Sequence, residues 1–318
     1  MNFAFAGLAF AAALSWTGTA SAQMVGIATA NPGSVFHSIA SAIASAANRA
    51  DLPMTVQPAT SADQYIRHVG AGGIEFGVAN LQEVNYATEG AAWFEGEAMP
   101  ELRAVGLIMP LVSAIFVRAD SNIHSLADLR GRRMVDGYVS QQTILQHLDA
   151  IYATSGLTRA DMRPVQVGGI TAGADAFMSG DADGFIFAHG GAKVREADAA
   201  VGGIRALSIE NSEEAIAAMR EHWPTGYLVE IEPGPAYPGV AAPGHHMAFP
   251  QVVFTHAGVD EDTVYEMARV LHQEKAAMAG NFIPFNAFDP EAISGDTAST
   301  PYHPGALRYF EEAGLATE

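Results

Sequence analysis

The sequence contains no cysteine, which excludes a disulfide framework, a thiol nucleophile, a thiolate metal site and a lipidated N-terminal cysteine. Basic residues are scarce. Lys and Arg total 16 against 35 Asp and Glu, for a formal net charge of −19, and Lys occurs only at Lys193 and Lys275. So acidic a chain is a poor partner for nucleic acid or for an anionic membrane surface. There is no phosphate loop with its Lys and no G-x-G-x-x-G turn, so nucleotide binding has no support. H-E-x-x-H and G-x-S-x-G are missing as well, and no catalytic or cofactor-binding set stands out. Asp181-Ala-Asp183-Gly184 lacks the remaining ligands and closing Glu of a calcium loop and reads as the approach to a strand. His245-His246 has no third ligand at metal spacing. Arg130, Arg132 and Arg133 read as a solvated edge. No internal repeat or low-complexity tract is present.

The N-terminal 22 residues differ in kind from the rest. Phe3 to Trp16 is almost entirely Ala, Phe, Leu and Gly, and Ala20-Ser21-Ala22 before Gln23 matches an A-x-A cleavage site. The run is too short for a comfortable membrane span, although Met1-Asn2 lacks the usual basic residue. The expectation is export to the periplasm with cleavage after Ala22, leaving a soluble monomer.

Val25 to Ala50 organises the remaining chain. Val25-Gly-Ile-Ala-Thr-Ala30 is a short apolar strand, Asn31-Pro32-Gly33-Ser34 turns, and Val35, Ile39, Ala42, Ile43 and Ala46 recur at helical spacing. Asn31-Pro32 fits a cap followed by the first helical position. A helix so placed turns unpaired N–H groups and the positive end of its dipole toward whatever lies beyond the strand. The pattern repeats: strands at Met54–Pro58, 74–79, 102–109, 113–117, 132–136, 163–167, 185–187, 204–208 and 251–255 alternate with helices, among them 64–69, 81–88, 143–154 and 260–278. Alternation of this kind predicts a mainly parallel, helix-flanked α/β sheet, with ligands beyond the carboxyl ends of the strands. Pro110 should divide two strands, and the Pro- and Gly-rich stretch 224–250 should be irregular. Small polar donors follow several strands: Ser34, Thr60-Ser61, Asn80, and Ser140 with Thr143.

The chain's last segment, Pro301-Tyr-His-Pro-Gly-Ala-Leu-Arg-Tyr-Phe-Glu-Glu-Ala-Gly-Leu315, strongly resembles the closing motif P-x-H-P-G-A-x-R-Y-Y-x-E-x-G of TAXI-type solute receptors. These are the extracytoplasmic binding proteins of TRAP transporters. Weaker similarities follow in the family's order: Val35–Ala40 with V-Y-Y-P-x-G, Val56-Gln-Pro58 with V-Q-P, Gly77–Ala87 with G-I-V-Q-S-D-V-A-Y-Y-A, Leu126–Gly131 with S-L-A-D-L-K-G-K-R, and Val264–Met267 with V-V-Y-E-L-T. The loops depart. Ala59-Thr60-Ser61-Ala62 stands for T-G-G-S, Leu81-Gln82 for S-D, and Gly137–Thr143 for G-x-P-G-S-G-T.

The resemblance implies a type II periplasmic-binding-protein fold, with two α/β lobes and a ligand cleft between them. Lobe one would hold residues 23–109 and 246–318, and lobe two with the crossing segments 110–245. It implies a receptor that captures a small organic anion and delivers it to TRAP membrane subunits, with no cofactor and no catalysis. The rival readings are an enzyme on this fold and a receptor feeding a sensor. The expected contact residues are Ser34, Phe36, His37, Thr60, Ser61, Asn80, Gln82, Ser140, Gln141, Gln142, Thr143 and His189, with Tyr138 and Phe36 packing an apolar part. The resemblance and the run of Ser, Thr, Gln and helix N-terminal donors predict a carboxylate ligand. Gln82 in place of the family's Asp predicts that it lacks an essential ammonium group, with keto, hydroxy or aromatic acids over glutamate. Glu83 is the alternative acid for that role.

Overall fold

A computed structural model describes residues 24–315; the expected leader and its cleavage site lie outside them. The first half of lobe one runs β1 (Val25–Thr29), α1 (Val35–Arg49), β2 (Met54–Pro58), α2 (Ala62–Gly70), β3 (Phe76–Asn80) and α3 (Leu81–Glu89). A long strand, β4 (Leu102–Arg118), carries the chain into lobe two. There follow β5 (Arg133–Asp136), α4 (Thr143–Ala153), β6 (Arg163–Gln166), α5 (Ile170–Met178), β7 (Gly184–Ala188), α6 (Ala192–Val201), β8 (Ile204–Ala206), α7 (Glu213–His222) and β9 (Tyr227–Ile231). A second long strand, β10 (Gly244–His256), returns to lobe one, which α8 (Glu261–Gln273), α9 (Lys275–Asn281) and α10 (Pro304–Ala313) complete.

The strand order is β2-β1-β3-β10-β4-β7-β5-β6, with β8 on β4 and β9 on β10. β1, β2 and β3 are parallel to one another, as are β5, β6 and β7. The two long strands are antiparallel to their neighbours, so the sheet is mixed rather than mainly parallel. Their ends serve different lobes: β10 pairs with β9 over Gly244–Ala248 and with β3 over Gln251–Thr255, while β4 pairs with β7 over Ser113–Val117. Three apolar clusters match this division. One, around Phe116, Phe185 and Trp223, fills lobe two. The others, around Ile43, Val253 and Phe310 and around Tyr65, Val84 and Phe254, cover the two faces of lobe one's sheet. Fully burying each large apolar side chain contributes about 1.5–3 kcal/mol.

Several expectations are corrected locally. Pro110 does not divide β4; the ladder slips there, with Ile108 opposite Gln251 and Leu111 opposite Phe249. A bulge tolerates a residue without an N–H. The stretch 224–250 is not wholly irregular, because Tyr227–Ile231 forms a hairpin ladder with the start of β10. The single helix expected over 260–278 is two, interrupted at Glu274 (φ −100°, ψ 25°). Helix α1 begins at Val35 and not at Pro32, since Gly33 stands at φ +89°, a left-handed conformation no helix admits. Ser34 then caps the helix, accepting from the His37 N–H at 3.2 Å. Asp183 leads into β7 as expected and pairs with Arg133 at 2.6 Å.

The closing motif is scaffold. Pro301 O accepts from the Ala104 N–H and the His303 N–H donates to Ala104 O, fastening the segment to β4. His303 Nδ1 accepts from the Gly305 N–H and caps α10, with Pro304 at the first helical position. Gly305 lies against the backbone of α8 at Glu261 and Tyr265.

Candidate functional site

The N-termini of α1, α2, α3, α4 and α5 face one cavity of about 320 Å³ between the lobes. Each lies at the carboxyl end of a strand or just after one, where strand–loop–helix alternation must place it. Ser34 and Phe36, Ser61 and Asn80 line it from lobe one; Ser140, Gln141, Gln142 and Thr143 line it from lobe two. The structure thus brings residues from four separated loops to one place.

His37, Thr60, Gln82 and His189 are not among the lining residues. His37 opens onto a separate groove with Ser41, Arg195 and Asn281, because helical spacing turns it away from Phe36. Thr60 is exposed, one residue before the cap Ser61. Gln82 is buried, on a different face of α3 from its neighbour Glu83. His189 is packed against Phe116, Tyr237 and His246, at 5.2, 5.7 and 4.7 Å between ring centres. Burial pushes its pKa down to about 3 and that of His246 to about 4, so both are neutral core imidazoles. Tyr138 is fully buried in lobe two and does not pack toward the cavity. With Gly137 at φ +89° and Tyr138 at φ +31°, the rim loop is held in a backbone conformation that a non-glycine residue rarely adopts.

The polar groups divide into those already satisfied and those left over. Ser34 caps α1, and Gln141 Oε1 accepts from the Ile170 N–H at 2.7 Å, capping α5. Ser140 donates to Gly168 O. By contrast α2, α3 and α4 have no side-chain cap bond. In α4 the Ile144 and Leu145 N–H groups donate to Gln141 O and Gln142 O, while the starts of α2 and α3 leave first-turn N–H groups for something else to satisfy.

Among the described residues no Lys or Arg lines the cavity; the carboxylates lining it are Asp63 and Glu83. Asp63 is paired with Arg67 at 3.1 Å. Glu83 is 1% exposed. Its Oε2 accepts from Asn80 Nδ2 at 2.6 Å, and its Oε1 accepts from the hydroxyl of Thr143, 60 residues away in the other lobe. Burial is the main cause of its pKa being raised to about 7, against the lowering effect of those hydrogen bonds. Sequence reasoning did not place Glu83 in the contact set; its position three residues after the cap Asn80 is the spacing that folds a Glu back onto a helix start. His147, one turn after Thr143 on α4, was also missed. It lines the cavity, sits 4.4 and 4.5 Å from the ring centres of Trp223 and Phe249, and is pushed down to about 3 by burial. Apart from Gln64 and Ser113 the remaining wall is apolar and aromatic, including Phe36, Tyr65, Trp93, Leu111 and Ile144. Among the described residues no cluster of His, Asp and Glu is placed to hold a metal ion, and no helix is long and apolar enough to cross a membrane.

The sequence profile of the NMT1-like family matches residues 27–314, and the chain belongs to that family. Among solved structures it resembles PhnD1 from Prochlorococcus marinus (MIT 9301) in complex with methylphosphonate, at 10% identity and a TM-score of 0.56, covering 92% of this chain and 99% of that one. The periplasmic aliphatic sulphonate binding protein SsuA from Escherichia coli is similar at 15% identity and a TM-score of 0.47, over 92% and 88% of the two chains. The first of these likenesses and the two-lobed topology give the type II periplasmic-binding-protein fold.

Proposed function

We propose that this NMT1-like chain is an extracytoplasmic solute receptor that captures a small organic carboxylate between its lobes and delivers it to the membrane subunits of a TRAP transporter. The observation that carries the reading is the meeting of three uncapped helix N-termini, from both lobes, on one cavity without Lys or Arg. Such N-termini bind an anion through backbone N–H groups and dipole, with no cationic side chain required. The volume suits a small molecule, and Phe36, Tyr65 and Trp93 suit an apolar or aromatic body. The closing motif supports the TAXI-type assignment and hence the TRAP partner. Closure would bend β4 near Pro110 and β10 near Pro250, where their ladder slips.

The ammonium question now turns on Glu83 and not on Gln82. Glu83 is 1% exposed and its oxygens are turned to Asn80 and Thr143, so little of it is open to an amino group, and keto, hydroxy or aromatic acids are favoured over amino acids.

The test is a thermal-shift panel on the mature chain: phenylpyruvate, phenyllactate and 2-oxoglutarate, their amino counterparts phenylalanine and glutamate, and methylphosphonate. A keto or hydroxy acid at 100 times its Kd should add about 2.7 kcal/mol, a rise of several degrees. Greater stabilisation by an amino acid would overturn the preference for keto and hydroxy acids, and greater stabilisation by methylphosphonate would overturn the carboxylate assignment. Turnover of any panel compound would favour an enzyme on this fold.

A further inference from the structure

We propose that Glu83 is a positioning residue that acts through Thr143, so that the protein takes up a proton together with its organic acid. The inference rests on the receptor reading above. Thr143 is half-buried and faces the cavity, with Glu83 behind it. A threonine hydroxyl has one proton to give and lone pairs to accept with. While Glu83 is a carboxylate it holds the Thr143 proton, and the hydroxyl turns only lone pairs toward the cavity. Those repel a ligand carboxylate, and so does the Glu83 charge behind them, with no Lys or Arg in the lining to offset it.

When Glu83 is neutral the bond reverses. Its O–H donates to Thr143 Oγ1, and the Thr143 proton is released to donate to the ligand at the start of α4, which has no side-chain cap. One proton enters from solvent, none is lost, and the Asn80 bond to the other oxygen persists. Burial already poises the group near neutrality.

The titratable groups around Glu83 are Asp63 and Tyr65 on α2, Tyr86 on α3 and His147 on α4. Tyr65 and Tyr86 are raised by burial and His147 is lowered to about 3, so these three keep their charge state between pH 6 and 8.5. Asp63 has Arg67 as its partner. The competing account is that Glu83 merely folds back on the start of α3 as a capping group. That account predicts no pH dependence of binding.

The experiment is calorimetric titration of phenylpyruvate into wild type, Glu83→Gln and Thr143→Val from pH 6 to 8.5, in buffers of differing ionisation enthalpy. The wild type should take up about one proton at pH 8.5 and lose affinity toward tenfold per pH unit above about pH 7.5. Glu83→Gln, whose amide donates permanently, should bind at every pH about as wild type does at pH 6, at least tenfold tighter than wild type at pH 8.5. Thr143→Val should lose at least about tenfold throughout. A flat wild-type profile without proton uptake, or a Glu83→Gln profile parallel to wild type, would overturn this inference alone. If phenylpyruvate failed to bind the wild type even at pH 6, the reading beneath it would fall too.

Discussion

The closing segment Pro301–Leu315 and the cavity rim are built alike, as short polar loops running into helices, and they use their polar groups in opposite ways. In the closing segment His303 caps α10, Tyr302 donates to Ile293 O and Gly295 O, and the backbone of 301–303 is tied to β4. At the rim, α2, α3 and α4 start uncapped. The first region turns its cap and backbone groups inward onto the protein; the second leaves some for a ligand. A strict motif here records how many packing constraints meet at one place; of the loops that depart from the TAXI-type pattern, 59–62 and 137–143 reach the cavity, while Leu81-Gln82 does not.

Gly305→Val gives the sharpest form of this contrast. A Cβ at this position would overlap the carbonyl oxygen of Glu261 and lie 3.0 Å from the Tyr265 nitrogen, both on helix backbone that cannot move aside. The expected loss is about 4 kcal/mol of unfolding free energy in urea melts, with the affinity for phenylpyruvate of the folded fraction unchanged. A variant that kept its stability and lost binding would reverse the roles assigned to the two regions.

Glu83→Gln is the corresponding change at the rim, with the opposite sign. The folded pKa of Glu83, about 7, stands above its ordinary value of 4.5. The folded state therefore holds the extra proton between those values, and stability falls as pH rises from about 4.5 to 7, then stays flat. A shift of this size corresponds to about 3 kcal/mol above pH 7. Glu83→Gln should recover up to that amount at pH 8 and nothing at pH 4, seen as a flatter dependence of Tm on pH. A loss of stability at pH 8 would mean that the carboxylate's three-way contact with Asn80 and Thr143 outweighs its burial.

The two regions also differed in how far the sequence disclosed them. β1, β2 and the start of α3 were legible because apolar runs alternate with helical spacing and polar loops. The closing motif was legible because its residues are individually unusual: a histidine cap, a Pro at the first turn and a Gly against a neighbouring helix. In the cavity, the residues standing at helix starts were found: Ser34, Ser61, Asn80 and Thr143. What escaped was whatever depends on rotation about a helix axis. Gln82 and Glu83 are adjacent in sequence and only Glu83 lines the cavity; His37 follows Phe36 and belongs to another groove. His147 was unreadable for a related reason, since its aromatic surroundings, Trp223 and Phe249, come from α7's end and β10. The length of β10 was hidden by Gly244 and Pro250, which punctuate a strand that its neighbours on either side nevertheless hold together.

The smallest effect is expected from a pair of serines that place the two behaviours side by side within the rim. Ser34 and Ser61 are both helix-cap residues, both buried and both in the cavity wall. Ser34 accepts from the His37 N–H, whereas Ser61 makes no cap bond. Ser34→Ala should therefore cost about 1 kcal/mol, the ordinary worth of a serine cap, through exposure of an unpaired amide at the start of α1. Ser61→Ala should change stability by less than about 0.5 kcal/mol, since the folded protein loses no bond. Binding should order them the other way. The α2 start and the Ser61 hydroxyl are free to meet a carboxylate, and losing one such donor weakens phenylpyruvate binding by roughly tenfold, while Ser34→Ala leaves affinity within a few-fold of wild type. Urea melts and calorimetric Kd values on the two variants measure both quantities. Equal stability losses would show that Ser61 is a working cap, and α2 would join α1 among the helix starts that the protein satisfies for itself.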